Sequence, residues 1–248
     1  TRGIRTSLVT NCMALDEKMV RILLESGLDA LTFSLDSVDH NVLRRHRAGI
    51  DPGRILTNIE HFMNVVTEST SAITVNLFSV LQEDTLPGLG KLAQFAASVK
   101  IPAIVISELN FEENAENVLR NKNRRDEILI QLLDQMRQVA SCGVVLLGPN
   151  LLDCVNMAID WPMARIRRPE QLLRDESSTH KNCLAPWRTL VVRVDGNIDF
   201  CNCTPGRSAG NILQQSLEKV WHSLHFQEFR KTLHDGPVER CCAVCPRL

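Results

Sequence analysis

Between Gly3 and about residue 148, short apolar runs alternate with amphipathic stretches. The apolar runs GIRTSLVTN, LDALTFSLD, AITVNLFSVL, IPAIVISEL and VVLLG predict five β-strands. The four stretches between them place apolar residues three or four positions apart and predict helices. The first helix is expected to bury one face, formed by Leu15, Met19, Ile22 and Leu23. Gly27 is its predicted C-terminal stop. Runs this apolar are typical of a parallel sheet covered by helices.

A series of βα units can close in two ways, as an open doubly wound sheet or as part of a (β/α) barrel. No G-x-G-x-x-G follows the first strand, which weakens the dinucleotide-binding form of the open sheet. We therefore predict an α/β fold in which residues 1–148 form a partial (β/α) barrel with parallel strands. Residues 149–182 lose the periodicity and are expected to be a linker. Residues 183–248 are predicted to form a small cysteine-rich α+β domain with a hairpin and helices.

Composition limits the classes of partner. The formal net charge of the 248-residue chain is −1, so charge provides no long-range attraction to nucleic acid or an anionic membrane. No apolar run approaches the roughly 20 residues of a membrane span, and TRGIRTSLVTN lacks the apolar centre of a signal peptide. Six of the nine cysteines fall between positions 183 and 245. This clustering favours metal ligation in a reducing compartment over disulfides, so we expect a cytoplasmic protein.

The cysteine-rich segment opens with a hairpin signal. Asp195-Gly196, flanked by TLVVRV and NIDF, predicts a two-residue turn that brings Cys183 and Cys201 near each other. The stretch from Gly210 to Gly236 predicts one or two helices. Their inward face is expected to contain Leu217, Val220, Trp221, Leu224, Phe226, Phe229 and Leu233.

A Cys-x-x-Cys pair follows these helices and supplies two further soft ligands. The predicted four-thiolate site consists of Cys183, Cys201, Cys242 and Cys245. Cys203 or Cys241 could replace a neighbour as ligand. Four thiolates suit zinc and an iron–sulfur cluster equally, so sulfur ligation alone leaves both open.

In a barrel of this kind the chemistry collects at the carboxyl ends of the strands. The polar residues expected there are Thr10, Asn11, Ser34, Asp36, Asn76, Ser79, Ser107 and Glu108. Ser34 and Asp36 are two positions apart and so point to the same face of a strand. A hydroxyl and a carboxylate together suit the hydroxyls of a ribose. On residue pattern alone, an Asp36 that caps the following turn is equally favoured.

The pattern Cys183-x12-Gly196-x4-Cys201, the segments GNILQQSLEKVW and EFRKTLHDG, and the closing Cys-x-x-Cys resemble a SPASM or twitch domain. That is the C-terminal auxiliary-cluster domain of radical S-adenosylmethionine enzymes. The preceding segment, from IRTSLVTN to LDALTFSLD, resembles the middle of their partial (β/α)6 barrel. The resemblance covers nearly the whole chain.

The resemblance implies an oxidoreductase-type enzyme in which a Cys-x3-Cys-x2-Cys loop holds a 4Fe–4S cluster that binds S-adenosylmethionine. Reductive cleavage then yields a 5′-deoxyadenosyl radical that abstracts hydrogen from the substrate. Ser34 and Asp36 match the family's ribose contacts, and Asn76 matches a second cofactor-facing position. Arg47 is a candidate partner for the cofactor carboxylate, although a solvated loop arginine is the favoured interpretation of it.

For the C-terminal domain, the resemblance implies an auxiliary 4Fe–4S cluster on the four cysteines. Full ligation favours electron transfer over substrate binding. A peptide or protein is the implied substrate, with ferredoxin or flavodoxin as reductant. No nucleic-acid or membrane partner is expected.

Two departures from the family pattern stand out. No Cys-x3-Cys-x2-Cys occurs in the sequence. We therefore expect an N-terminally truncated fragment that is inactive by itself, with the second 4Fe–4S cluster only in the full-length parent. Thr10-Asn11-Cys12 stands where the family has Thr-Asn-Gly. Because a left-handed backbone favours glycine, Cys12 predicts a different turn.

Two other functions compete with the radical enzyme. One is a non-catalytic peptide-binding module with a structural four-cysteine zinc site. The other is a barrel lyase or aldolase, which needs a Schiff-base lysine at a strand end. Lys18 and Lys100 occupy helical or pre-strand positions instead, which counts against the lyase.

Overall fold

The chain divides into two compact units, Thr1–Ala164 and Arg165–Leu248. A computed structural model describes residues 5–108, 125–148, 183–201 and 207–236, and residue 242. The division falls within the predicted linker, 149–182, which lies outside the described residues. No helix in these described ranges is long and apolar enough to cross a bilayer.

The first unit is a parallel sheet with helices between its strands. The strands are β1 (Ser7–Thr10), β2 (Ala30–Ser34), β3 (Thr74–Leu81), β4 (Ala103–Glu108) and β5 (Val145–Leu147). The helices are α1 (Glu17–Glu25), α2 (His40–His46), α3 (Pro52–Glu68), α4 (Leu89–Ser98) and α5 (Arg125–Ser141), with a 3₁₀ turn at Leu86–Gly88. The five strands are all parallel and follow the chain order. A doubly wound sheet reverses its order at a switch point, so the prediction of a partial barrel is confirmed for these strands.

The connection between β2 and β3 contains two helices, and our prediction of a single helix there is wrong. Helix α2 begins after Asp39, whose carboxylate accepts the backbone N–H groups of Asn41 and Val42 at 2.7 and 3.2 Å. Helix α3 follows an Asp51 cap and has Pro52 in its first turn, where the missing N–H of proline has no helical partner to lose. The extra helix places its C-terminal residues beside the carboxyl edge of the sheet, where the candidate site lies.

Helix α1 buries a different face from the predicted one. Val20 and Leu23 are buried, whereas Met19 and Ile22 are 38% and 47% exposed. The helix begins at Glu17, after the Asp16 cap. Leu15 is buried but precedes the helix, so its position does not follow the helical period. Gly27, with φ +73°, follows the helix end as predicted.

The core of the first unit lies on one face of the sheet. Leu31, Phe33, Leu77 and Ile104 are fully buried there, beneath helices that bury their own apolar faces. The ring of Phe33 packs edge-on against Phe62 of α3, with centroids 5.4 Å apart. Burying each such side chain stabilises the fold by roughly 1.5–3 kcal/mol. The opposite face is mostly half-buried, so only one side of the sheet is closely packed.

The described residues of the second unit form a small antiparallel sheet and three helices. Its strands are β6 (Val191–Val192), β7 (Asn197–Asp199) and β8 (Ser208–Asn211), in the order β6-β7-β8. Its helices are α6 (Ala185–Arg188), α7 (Leu217–Trp221) and α8 (Leu224–Asp235). The sequence analysis missed β8, because its Ser-Ala-Gly-Asn sequence has no apolar run.

The predicted hairpin is present, but its loop has three residues and not two. The N–H of Arg193 donates to the Asn197 carbonyl at 2.8 Å, and the N–H of Gly196 donates to the Arg193 carbonyl at 2.9 Å. Gly196 has φ +81°. This is a type I turn followed by a left-handed residue, a three-residue loop that requires glycine at its last position.

The helical face predicted after the hairpin is confirmed in its second half. Val220, Phe226, Phe229 and Leu233 are buried, but Leu217 and Leu224 are 50% and 72% exposed. Each exposed leucine is the first residue of its helix. The cap at Ser223 separates the two helices, so the apolar spacing does not continue as one face. Gly236, with φ +67°, ends α8 as predicted.

Candidate functional site

At the carboxyl end of β2, Asp36 forms a buried ion pair with Arg47. The carboxylate is 5% exposed, and its Oδ2 accepts Nε and Nη2 of Arg47 at 3.0 and 2.8 Å. Oδ1 accepts the backbone N–H of Val80, at the end of β3, at 2.9 Å. Both carboxylate oxygens are therefore engaged, and Asp36 links α2 to two neighbouring strands.

Arg47 lies immediately after α2, where the backbone leaves the helix with φ −136° and ψ 97°. Its Nη2 also donates to Ser34 Oγ at 2.7 Å, and its side chain is 21% exposed. The interpretation of Arg47 as a solvated loop residue is wrong. Nη1 makes no hydrogen bond to any residue in the described ranges, so one donor of a fixed guanidinium remains for an anion.

A second carboxylate, Asp84, holds the last turn of α2. Its Oδ1 lies 2.6 Å from Nε2 of His46, and its Oδ2 accepts Nε and Nη2 of Arg45 at 3.2 and 3.0 Å. Partial burial raises the pKa of Asp84, but the hydrogen bonds from His46 and Arg45 outweigh that effect and hold the pKa below its usual value. Asp36 and Asp84 together fix the three residues from 45 to 47 against the end of β3.

Asn76 lies in the middle of β3 and not at its carboxyl end. It pairs with Thr32, while Ser34 pairs with Phe78, two residues further along. In-register neighbours in a parallel sheet point to the same side. Asn76 and Ser34 therefore lie on the same face of the sheet, but Asn76 lies two residues closer to the amino ends of the strands. Ser79, also expected at a strand end, points to the opposite face and is buried.

The face that carries Ser34 and Asn76 is partly open. Its edge strands contribute exposed apolar residues: Val9 at 64%, Val145 at 54% and Leu147 at 47%. The middle strands contribute half-buried residues. This mixture of apolar wall and a few polar groups is typical of a ligand-binding surface.

The turn after β1 keeps the left-handed backbone that we expected Cys12 to disfavour. Cys12 has φ +65°. Its N–H donates to Thr10 Oγ1 at 3.1 Å, and its carbonyl accepts Nδ2 of Asn58 at 2.8 Å. These bonds offset the strain of a Cβ in this conformation. Burial raises the pKa of the Cys12 thiol to about 12, with a smaller opposing effect of the Arg47 charge, so the thiol is neutral.

The structure describes three of the four predicted thiolate ligands. Cys183 and Cys201 are half-buried and flank the hairpin, and Cys242 is 6% exposed within a core that contains Ile198, Phe200 and Phe226. Cys245, like Cys203 and Cys241, lies outside the described residues. Within the described ranges, no three Cys, His, Asp or Glu side chains are grouped closely enough for a single metal ion. The four-cysteine ligand set remains a prediction.

Arg230 of α8 is a half-buried cation of the second unit. Its guanidinium carbon lies 4.4 Å from the Trp221 ring centroid and 4.7 Å from that of Phe226. The carboxylate of Asp199 is buried: the residue is 3% exposed, and its Oδ2 accepts Nη1 of Arg193 at 3.1 Å. Oδ1 of Asp199 and Nη2 of Arg230 are buried and have no hydrogen-bond partner among the described residues.

Sequence reasoning missed His46, Asp84 and Arg230 as functional candidates. The sequence DHNVLRRHR contains a usable signal, because an Asp cap followed by a basic last turn predicts a short helix. Nothing in the local pattern pairs that turn with Asp84, which is almost forty positions away.

Comparison with known families matches both units. Residues 1–86 match the family model of the radical SAM superfamily, and residues 183–246 match that of SPASM, described as an iron–sulfur cluster-binding domain. A PqqA peptide cyclase of Methylocella silvestris is 22% identical over 256 residues, which cover 99% of this chain and 60% of that protein.

Solved structures share the fold. SuiB of Streptococcus suis, bound to S-adenosylmethionine, has a TM-score of 0.61 to this chain at 16% sequence identity. The matched region covers 92% of this chain and 50% of the SuiB chain. The enzyme anSMEcpe, with bound AdoMet, has a TM-score of 0.58 at 18% identity and covers 98% and 63% respectively. The chain thus spans about half to three fifths of the length of these relatives.

Proposed function

Because this chain belongs to the radical SAM superfamily and carries a SPASM domain, we propose that it acts in a radical enzyme that modifies a peptide. In this proposal the first unit binds S-adenosylmethionine and substrate, and the second unit holds an auxiliary 4Fe–4S cluster. The observation that carries the proposal is the order of the two family matches, residues 1–86 and then 183–246, in one chain. The sequence contains no Cys-x3-Cys-x2-Cys, so the proposal for these residues covers binding and not radical generation.

The cofactor site is proposed at the carboxyl edge of the sheet. Nη1 of Arg47 would pair with the carboxylate of S-adenosylmethionine, because the other guanidinium donors are committed to Asp36 and Ser34. The Ser34 hydroxyl accepts from Arg47 and keeps its own proton for a cofactor oxygen. Asp36 then contributes by holding Arg47 in position. This indirect role replaces the direct contact between Asp36 and the cofactor ribose that we expected from the sequence. Ser34 and Arg47 would hold the cofactor, which in a complete radical enzyme would supply the 5′-deoxyadenosyl radical for hydrogen abstraction.

The open face of the sheet is the proposed substrate surface. On that face, Asn76 lies two residues closer than Ser34 to the amino ends of the strands. Exposed apolar side chains of β1 and β5 lie at the two edges of the same face. A peptide is the proposed substrate class, because one relative is named a PqqA peptide cyclase and SuiB has been solved with the precursor peptide SuiA. That SuiB structure has a TM-score of 0.57 to this chain and covers 94% of it and 49% of its own length.

The thiolates of Cys183, Cys201, Cys242 and Cys245 would hold the auxiliary cluster. Soft sulfur ligands fit iron–sulfur chemistry, and Cys242 is already enclosed by the core of its unit. Because a cysteine thiolate would ligate each of the four iron atoms, no iron would remain open to substrate. Full ligation favours electron transfer, with a ferredoxin or flavodoxin as the reductant.

Metal content is the first test. The chain is purified without oxygen, reconstituted with iron and sulfide, and assayed for both elements and for its spectrum. We expect a brown protein with about four iron and four sulfide per chain. A colourless protein that binds one zinc and no iron would overturn the cluster and favour the peptide-binding module.

Cofactor binding is the second test. Titration calorimetry with S-adenosylmethionine compares Arg47→Gln with Arg44→Gln, an exposed arginine of the same helix for which the structure records no hydrogen bond. Losing a charge-assisted hydrogen bond costs about 1.5–3 kcal/mol, so Arg47→Gln should weaken binding roughly 10- to 100-fold. Equal affinities for the two variants would rule out Arg47 as the carboxylate partner.

A further inference from the structure

Arg230 connects three segments of the second unit. Its Nε donates to the carbonyl of Pro186 in α6 at 3.0 Å, and its Nη1 donates to the carbonyl of Trp221 at the end of α7 at 2.9 Å. The guanidinium also lies over the rings of Trp221 and Phe226. Planar stacking together with two directed hydrogen bonds fixes the position of the charge more tightly than either would alone.

Among the described residues of the unit, no counter-charge pairs with this fixed charge. Arg230 makes no ion pair with any carboxylate in the described part of the unit, whereas Asp199 is paired with Arg193. Its Nη2 is buried and has no acceptor there. Burial lowers the pKa of Arg230 by desolvation, but an arginine remains protonated in proteins. A buried donor without an acceptor is destabilising, so an acceptor for it is expected.

Arg230 lies among the segments that carry two predicted cluster ligands. Pro186, whose carbonyl it binds, is three residues after Cys183. Phe226, on which it stacks, belongs to the same hydrophobic cluster as Cys242. The missing acceptor is therefore expected on the side of the unit where the thiolates are predicted.

We infer that Arg230 is the cation of the thiolate site in the second unit. It positions the Cys183 segment through the Pro186 carbonyl, and its charge stabilises the bound iron–sulfur cluster. This inference rests on the proposed function, because it requires that a cluster forms.

The charge has a measurable consequence. A cluster ligated by four thiolates is an anion, and one-electron reduction adds a further negative charge. A nearby fixed cation stabilises the reduced form more than the oxidised form and so raises the reduction potential. In the experiment the electron comes from dithionite, which is oxidised as the cluster is reduced.

The test compares three variants of the reconstituted chain by a redox titration followed by electron paramagnetic resonance. Arg230→Gln removes the positive charge. Arg230→Lys keeps the charge but lacks the planar guanidinium group with its several N–H donors. Lys231→Gln removes the same charge from the adjacent, exposed position. We expect Arg230→Gln to have a more negative potential than the wild type, and Lys231→Gln to match the wild type. Arg230→Lys should lie close to the wild type in potential but bind less iron.

Two results would overturn the inference. The first is an Arg230→Gln variant with wild-type iron content and potential. The second is a loss of cluster in Arg230→Gln that Arg230→Lys does not restore, since that would make Arg230 a packing residue only. If Arg230→Gln loses its cluster and Arg230→Lys restores it, the inference stands. A wild-type chain that forms no cluster would instead disprove the proposed function.

Discussion

The two units differ in how much apolar surface their own folds bury. In the described residues, the first unit buries twenty-eight side chains in one hydrophobic cluster, and the second buries eight. The second unit also leaves eight large apolar side chains exposed, among them Val194 at 110% and Leu213 at 78%. In this part of the chain, the second unit therefore exposes as many large apolar side chains as its core contains side chains of any size.

This difference indicates that the units are stabilised by different means. A core of twenty-eight side chains under a five-stranded sheet is sufficient for a stable domain. The described part of the second unit buries a smaller set of eight, and small domains often need a metal or disulfides in addition to their core. The predicted ligand cysteines of the second unit would supply that addition. We expect the first unit to fold without metal and the second to depend on it.

The largest expected effect is loss of the second unit when a proposed ligand is removed. Cys201→Ala or Cys245→Ala should abolish iron binding and unfold residues 183–245, because metal binding and folding are coupled in such sites. Hydrogen exchange should show the loss in the second unit only. Cys142→Ala, at a half-buried cysteine of the first unit, is the control and should leave iron content unchanged. Full iron content and normal melting in Cys201→Ala would disprove the ligand assignment.

The second prediction concerns the core of the first unit, whose stability should not depend on metal. Phe33 is fully buried and packs against Phe62, so Phe33→Ala should lower the free energy of unfolding by about 3–5 kcal/mol. Denaturant unfolding with and without reconstituted iron should give the same loss, since this core does not depend on metal. A loss that disappears when iron is bound would mean that the two units do not differ in the way proposed.

Local patterns were sufficient to predict most of the fold. Five apolar runs predicted the five strands, and the absence of a dinucleotide-binding motif favoured the barrel over the open sheet. Two of the errors have a common cause. Leu217 and Leu224 fit a helical period but are the first residues of their helices, where the period does not decide burial. The caps at Asp16, Ser216 and Ser223 determine where each helix begins.

The candidate site was less predictable, because its contacts join distant positions. Ser34 and Asp36 were identified from their spacing, but their engagement by Arg47 depends on α2, which the sequence analysis missed. At Cys12, side-chain propensity indicated a different turn. The Cys12 N–H donates to Thr10 Oγ1, and Nδ2 of Asn58 donates to the Cys12 carbonyl, and these bonds maintain the left-handed backbone there. The local sequence cannot predict the contact with Asn58, because it lies 46 positions away.

Buried carboxylates provide a finer comparison of the units. Asp36 has both oxygens satisfied, whereas Oδ1 of Asp199 has no partner among the described residues. Asp36→Asn should destabilise the first unit by about 1.5–3 kcal/mol through the loss of charged hydrogen bonds. Asp199→Asn should cost less, because its partner Arg193 is 44% exposed and the unsatisfied charge is removed. Urea unfolding of both variants measures the difference, and equal losses would contradict this account.

The smallest expected effect is a response to acid that differs between the units. The pKa of Asp84 in the first unit is held below its usual value, despite partial burial, by His46 and Arg45. The pKa of Asp195 in the second unit is lowered chiefly by the backbone N–H of Asn197. In both cases folding favours the ionised form. The stabilisation is therefore fully present above about pH 4, the ordinary pKa of aspartate, and is lost as the pH falls through the lower folded pKa.

Thermal melting between pH 6 and pH 3, followed separately for each unit, measures this response. Asp84→Asn should reduce the loss of stability at low pH in the first unit only. The change should be less than about 1 kcal/mol, because the Asp84 carboxylate is a third exposed. Asp195→Asn should affect the second unit only. The Asp84 contribution depends on contacts between α2 and the loop after β3, so it should persist in the metal-free protein. The Asp195 contribution should become unmeasurable once iron is removed, because the hairpin that holds it is then expected to unfold. If both responses survived iron removal, the second unit would be shown to fold without its metal.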